Sequence, residues 1–513
     1  MEILSNLWDQ VFNPEIRPGL HPIPGSVPLT LEAAVCPPLV YYIALLFLAP
    51  PPPNGIETTP IKLLRNSLAI LAGVLFFRLP LAYHVPQSIG LTYQLGLVGL
   101  YGGCRVVDAF FISPYLFGHI PRRVRYEHVS RPSTPALEHK PQNLKEWSNG
   151  GVKDPFMGIN DASNRVSHRA RKEKSTPPST STSSDTRRPS IMDHAEDYFS
   201  RTLSGPDPKP VYETAHTEEG WPQTFLERAS WAFELELSMR GIGFTWTTAD
   251  VRHTRRTWLP TVSNRVHSLF LRSGPVLFVA WTIIKYTYTT YLFPYADISW
   301  DEQPYHLFDT LPLANQLLLT GALGAFLMAA FSFGHSLFAI VLHPLSPSPL
   351  AFFPPLYTTR VWDITSVRRF WSYGWHRLFA RLFLVYGVWP GEWLERKLLG
   401  KRADQPADIG KVLGGFGSSA FVHAFSVRGV LEGNWFMAAG EAKFFALNGV
   451  AVVVEGIVVR VVRAVRTQRG WPSEMWYDAW FGRVWWIAVL LGTGRNFARG
   501  WVKACLVREM AFM

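Results

Sequence analysis

The run from Leu313 to Leu342, LANQLLLTGALGAFLMAAFSFGHSLFAIVL, contains no Asp, Glu, Lys or Arg. About 20 apolar residues in helical geometry cross the hydrocarbon core of a bilayer, so such a run predicts a membrane-spanning helix. Inside a bilayer the backbone must satisfy its own hydrogen bonds, which restricts a chain built on such runs to helical bundles or closed barrels. Comparable apolar runs cover about 31–49, 64–81, 89–111, 266–292, 409–430, 444–462 and 480–492. The expected fold is therefore all-α, a multi-pass transmembrane bundle of about eight spans. The first run tolerates Pro37 and Pro38 because neighbouring helices can accommodate them, and the glycines of GLVGLYGGC read as plain helix packing. The stretch 378–389 is short and has basic flanks, so it reads as a re-entrant or interfacial helix.

Composition adds one large exception to this pattern. Of the 513 residues 48% are hydrophobic, with 20 Trp and 34 Phe, yet mean hydropathy is only +0.06. The difference lies in residues 121–220, where Arg, Lys, Ser, Thr and Pro take over, as in RARKEKSTPPSTSTSSDTRRPS. Such sequence cannot bury enough apolar surface to fold alone, so a long disordered cytosolic loop is expected there. It divides the chain into N-terminal spans over 1–120 and a membrane domain over 221–513. Nuclear targeting is the competing reading of the basic clusters, but three preceding spans already anchor the chain. After the loop, WAFELELSMRGIGFTW reads as an amphipathic helix at the membrane surface, broken at Gly241 and Gly243.

The net charge of +11 fits either nucleic acid or an anionic membrane face. Position favours the membrane, because the basic residues gather at the ends of the apolar runs. The connection 297–309 carries Asp297, Asp301, Glu302 and Asp309 without Lys or Arg, which suits the lumenal side. A proline-rich re-entry follows the 313–342 span. Cys36, Cys104 and Cys505 form no CxxC pair, so neither a disulfide framework nor a metal site is expected. The N-terminus shows no basic region followed by an apolar core, hence no cleavable signal peptide.

Two histidines sit in or beside strongly apolar sequence, where an ionisable group is costly and usually functional. His423 lies in GSSAFVHAF, with the small residues Gly417, Ser418, Ser419 and Ala420 one turn before it. It can be a general base for an alcohol, worth about 10²–10⁴ in rate, or a structural histidine bonded to another helix. Spacing leaves both readings open. His376, in WSYGWHRLF, stands among Arg368, Arg369 and Arg377, whose guanidinium groups could hold phosphates or reach lipid headgroups. Arg381 is expected to snorkel to headgroups, His335 to bond a neighbouring helix, and Glu455 to pair with Arg460 or a partner helix. No HxxxD, GxSxG, P-loop, GxGxxG after a strand, or HExxH is present. Hydrolase, nucleotide-driven pump and dehydrogenase readings therefore lose support.

Three segments resemble the wax-synthase-like branch of the membrane-bound O-acyltransferase family, particularly fungal members associated with natural-product acetylation. They are Arg240-Gly241-Ile242-Gly243 with Trp246; Phe370-Trp371 through Trp375-His376; and His423 followed by Phe444-Phe445, Asn448-Gly449 and Glu455. The resemblance covers roughly residues 220–495. Ser372, Tyr373 and Gly374 stand where the family has Gly-Arg-Arg, and Ser-Ala-Phe-Val-His replaces its small-Gly-x-x-His approach. It implies an acyl-CoA-dependent O-acyltransferase of the endoplasmic reticulum membrane, with acyl-CoA as cosubstrate, no bound cofactor and a lipophilic alcohol, terpenoid or similar, as acceptor. His423 and His376 would be catalytic, and Trp371, Trp375, Arg377, Arg369, Ser419 and Asn448 would bind substrate or cosubstrate. A long-chain wax ester synthase, a transporter and a non-catalytic scaffold remain the alternatives.

Overall fold

The computed structural model describes residues 15–50, 58–129, 212–218, 220–241, 243–246, 262–295, 307–342, 356–357, 361–402, 405–472 and 474–512. The loop interior 130–211, the acidic residues 297–302 and the proline-rich stretch 343–355 lie outside the described residues. Helices carry the fold: α1 Leu31–Leu46, α2 Thr59–Ala82, α3 Ile89–Leu116, α4 Phe225–Leu237, α5 Arg265–Leu292 and α6 Leu313–Leu342. They continue as α7 (367–374), α8 (380–399), α9 Asp408–Arg428, α10 Ala439–Gln468, α11 Asp478–Lys503 and α12 Leu506–Ala511. Among the described residues, α2, α3, α5, α6 and α10 are long and apolar enough to cross a membrane. With the shorter α1 and the more polar α9 and α11 they make up the eight elements expected.

Several boundaries move outward from their hydropathy limits. α10 begins at Ala439 rather than near 444, and α11 runs to Lys503 rather than 492. The extra turns carry charged side chains that bond within the fold. Arg495 donates to Gln316 Oε1 at 2.8 Å, and Arg499 forms two hydrogen bonds to Asp309 at 2.9 and 2.6 Å. The stretch after 378 likewise continues to Leu399 as α8, which turns back on α9 with Gly387 and Gly391 facing Gly414 and Gly410.

The two ends of the polar loop meet. Val124–Val129 and Tyr212–Glu218 pair as an antiparallel two-stranded ribbon. The RGIG segment joins this ribbon, since the Val124 amide donates to the Gly243 carbonyl at 2.8 Å. The amphipathic helix α4 spends its apolar face on protein. Trp231, Ala232 and Leu235 are buried in one core with α1, α2 and α3, where Phe244 and Trp246 join them. Arg228 donates to the carbonyls of Leu46, Ala49 and Pro50, closing the C-terminal end of α1. Phe225 and Leu226, at its start, remain exposed.

Arg381 does not snorkel. Its guanidinium donates to Asp108 at 2.6 and 3.1 Å and to Ser113 at 2.8 Å, tying α8 to α3. Glu455 does not pair with Arg460, which bonds Asp408 at 3.0 Å instead. It accepts the Val367 and Arg368 amides at 2.8 and 3.4 Å and so caps α7. A second core joins α3, α5, α6, α9, α11 and α12, and two of its residues, Tyr93 and Phe497, touch His423.

Candidate active site

Two close helix contacts assemble the site. A Cβ on Gly96 of α3 would stand 2.5 Å from the Ser426 Cα of α9, and one on Gly440 of α10 would stand 2.6 Å from the Asn496 carbonyl of α11. Only glycine permits either approach. One turn from the first contact Tyr93 meets His423, and beside the second Glu441, the residue after Gly440, meets Trp501.

The result is a polar cluster inside apolar walls. His423 Nδ1 lies 3.0 Å from Glu441 Oε2 and 3.0 Å from the Tyr93 hydroxyl. Tyr93 donates to Glu441 Oε2 at 3.0 Å, and Trp501 Nε1 donates to Glu441 Oε1 at 2.7 Å. The Glu441 side chain is fully buried, whereas that of His423 keeps 21% of its surface open. Glu441 also sits in the first turn of α10, where unpaired amides favour an anion. A Tyr93 proton directed at Glu441 leaves Nδ1 to donate to the same carboxylate and puts the lone pair on Nε2, whereas a Tyr93 proton directed at Nδ1 gives the opposite tautomer. Phe445 stacks on the imidazole at 4.3 Å, and Phe497 meets it edge-on at 6.3 Å.

His376 belongs to the same interior. Its ring lies 5.0 Å from Trp375 and 4.6 Å from Phe331 of α6, and its buried Nδ1 has no hydrogen-bond partner among the described residues. Burial, followed by the charges of His423 and Arg240, pushes its imidazole down to about 3. It therefore stays neutral. A line of aromatic contacts links the two histidines, running from Trp375 to Trp371 at 5.8 Å and from Trp371 to Phe445 at 5.6 Å.

The remaining candidates divide between this interior and its margins. Asn448 is buried with its amide engaged by protein: its oxygen accepts from Trp371 Nε1 at 3.1 Å, and its NH₂ donates to Phe444 O and Thr493 Oγ1. Any bearing it has on a ligand runs through the Trp371 indole. Ser419 is buried on the His423 side of α9, one turn away. Arg377 follows His376 and is near enough to Arg240 for their charges to interact; burial first, and then Arg377, pushes Arg240 down to about 9. Arg369 is exposed on α7, and its amide donates to Ser366 Oγ. The structure does not bring its side chain to the histidines.

Sequence reasoning missed Tyr93, Glu441 and Trp501. Two of them fall in the helix turns that hydropathy cut away, and the third looks like any aromatic residue in a span. Residues 353–447, which include both histidines and Glu441, match the sequence model of the membrane bound O-acyl transferase family. Over that segment the chain is similar to this family. It is 26% identical over 270 residues to "Acetyltransferase eriL" of Hericium erinaceus, and 26% identical over 271 residues to "Acetyltransferase ple2" of Rhodocybe pseudopiperita. Each match covers 50% of this chain, and they span 64% and 65% of the relatives' own lengths. No solved structure matches significantly. The family segment thus supplies the histidines and the carboxylate, while Tyr93 and Trp501 come from helices outside it.

Proposed function

We propose that the chain moves an acyl group, acetyl first of all, from acyl-CoA to the hydroxyl of a lipophilic alcohol within the membrane, a terpenoid or similar secondary metabolite. The observation that carries this reading is the partly open imidazole of His423, whose Nδ1 lies 3.0 Å from a fully buried carboxylate. The family match and two relatives named as acetyltransferases support it.

In this reaction Nε2 takes the hydroxyl proton as the alcohol oxygen attacks the thioester carbonyl. The C–O bond forms, the C–S bond breaks, and the proton passes from the imidazolium to the departing CoA sulfur. Direct transfer needs no acyl-enzyme, and the serine that does meet an imidazole, Ser26 at 2.9 Å from His84 Nδ1, is bonded to neither His423 nor His376. His376 and Trp371 would position the thioester, with Trp375 packed between them. Arg240 and Arg377, neighbouring cations, would attract the phosphates of the cosubstrate. Because α3 supplies Tyr93, the N-terminal spans and the 221–513 segment would act as one bundle in the endoplasmic reticulum membrane.

Microsomes supplied with labelled acetyl-CoA or palmitoyl-CoA and a panel of terpenoid and fatty alcohols test this directly. Acetyl transfer to a terpenoid alcohol is expected, and His423→Ala should lower it by at least about 10² while leaving membrane insertion intact. Palmitoyl transfer to fatty alcohols would favour wax ester synthesis. Transfer that survives His423→Ala would remove the mechanism, and transfer from neither donor to any alcohol would favour a transporter or scaffold.

A further inference from the structure

We propose that Glu441 is the positioning residue of this site: its carboxylate, clamped by Tyr93 and Trp501, fixes the proton of His423 on Nδ1 and so presents Nε2 as the base. The inference rests on His423 being that base, and it adds the group that makes it one.

The donor count carries the argument. Glu441 Oε1 accepts from Trp501 Nε1 at 2.7 Å and Oε2 from the Tyr93 hydroxyl at 3.0 Å, and His423 Nδ1 also lies 3.0 Å from Oε2, placed to be the third donor. Three donors converge on a side chain sealed from solvent, and an ionised carboxylate, which only accepts, satisfies all three. The same clamp stops the carboxylate from turning away, since Trp501 packs edge-on against Tyr93 at 5.9 Å. The imidazole is thereby fixed in its tautomer and, through stacking on Phe445, in its plane.

Glutamine in place of Glu441 keeps the shape and breaks this logic. If its oxygen faces Trp501, its NH₂ points at Nδ1, and His423 must move its proton to Nε2 to accept that bond. If the amide turns round, NH₂ meets the Trp501 N–H donor to donor. The first arrangement is the cheaper, and it leaves no lone pair towards the substrate.

Diethyl pyrocarbonate, which acylates the imidazole lone pair, reads this without any knowledge of the acceptor. The full-length protein is labelled in detergent, and His423 is quantified by peptide mass spectrometry beside labelled acetyl transfer. His423 of the unaltered protein should react, and Glu441→Gln should slow that reaction by about tenfold or more. Acetyl transfer should fall by about 10²–10⁴-fold with the KM for acetyl-CoA unchanged. Glu441→Asp, which keeps the charge, should recover part of both, a rescue that a merely structural residue would not give. Should Glu441→Gln fail to fold, Tyr93→Phe and Trp501→Phe serve in its place, each slowing His423 labelling. Equal labelling in every variant, or an unreactive His423 in the unaltered protein, overturns the inference. Loss of transfer in His423→Ala together with unaffected Glu441→Gln would overturn this inference alone, whereas transfer surviving His423→Ala would overturn the base reading beneath it.

Discussion

At the scale of single residues, the site pairs one imidazole open on one edge with another that stays neutral among aromatic rings. Their roles should separate on mutation. His376 touches Phe331, Trp375 and Phe379 through its ring. Each such contact is worth about 0.5–1.5 kcal/mol. His376→Ala should therefore raise the KM for acyl-CoA by up to about tenfold, with a smaller effect on kcat, in microsomal steady-state kinetics. Wild-type kinetics in that variant would assign the ring to packing. His423 was legible as a candidate because an imidazole stands out in an apolar run. Glu441 was not, because a glutamate followed by Lys443 resembles the solvated edge of a span.

At the scale of elements, helix spacing makes the geometry. α3 and α9 touch at Gly96, and a side chain there meets the Ser426 backbone rather than a movable tip. Gly96→Val should push the helices apart, at about 1–3 kcal/mol for overpacking. The thermal midpoint in detergent and acyl transfer should both fall, because Tyr93 withdraws from His423. Gly324→Ala, on α6 with open space at its Cβ, is the matched control and should leave the midpoint unchanged. Equal midpoints for the two variants would show that α3 yields easily and that the contact does not set the site. The glycine run of α3 was read correctly as packing, but its partner helix could not be known from spacing.

Across the whole molecule, long-range polar ties hold the bundle in register. The buried Asp108 and Arg381 are 273 positions apart, and Trp246 of the RGIG segment lies between the Arg381 and Arg105 guanidinium groups at 4.6 and 5.1 Å. Arg105 also donates to carbonyls at the end of α4, including that of Ser238 at 3.0 Å. Removing one member strands a buried charge, a loss of about 3–5 kcal/mol. Arg381→Leu should thus lower the thermal midpoint in detergent far more than Lys397→Leu on the outer side of α8. A midpoint within a degree of the unaltered protein would show that Asp108 finds another partner.

The sequence alone determined that this chain forms a helical membrane bundle with a polar insertion, because apolar run length and the need to satisfy the backbone admit little else. It also marked His423 and His376, since an ionisable group in such a run is costly enough to be conspicuous. Only the tertiary structure decided which partners those rings have. Glu441, Tyr93 and Trp501 come from three different helices, Arg381 bonds Asp108 inside the protein rather than headgroups, and of the two partners expected for Glu455 it is the partner helix, α7, that it meets. Hydropathy registers how much a segment gains by leaving water, summed along the chain. It does not register pairing across helices, and that pairing lets charged turns extend α10 and α11 and carry the carboxylate to the base.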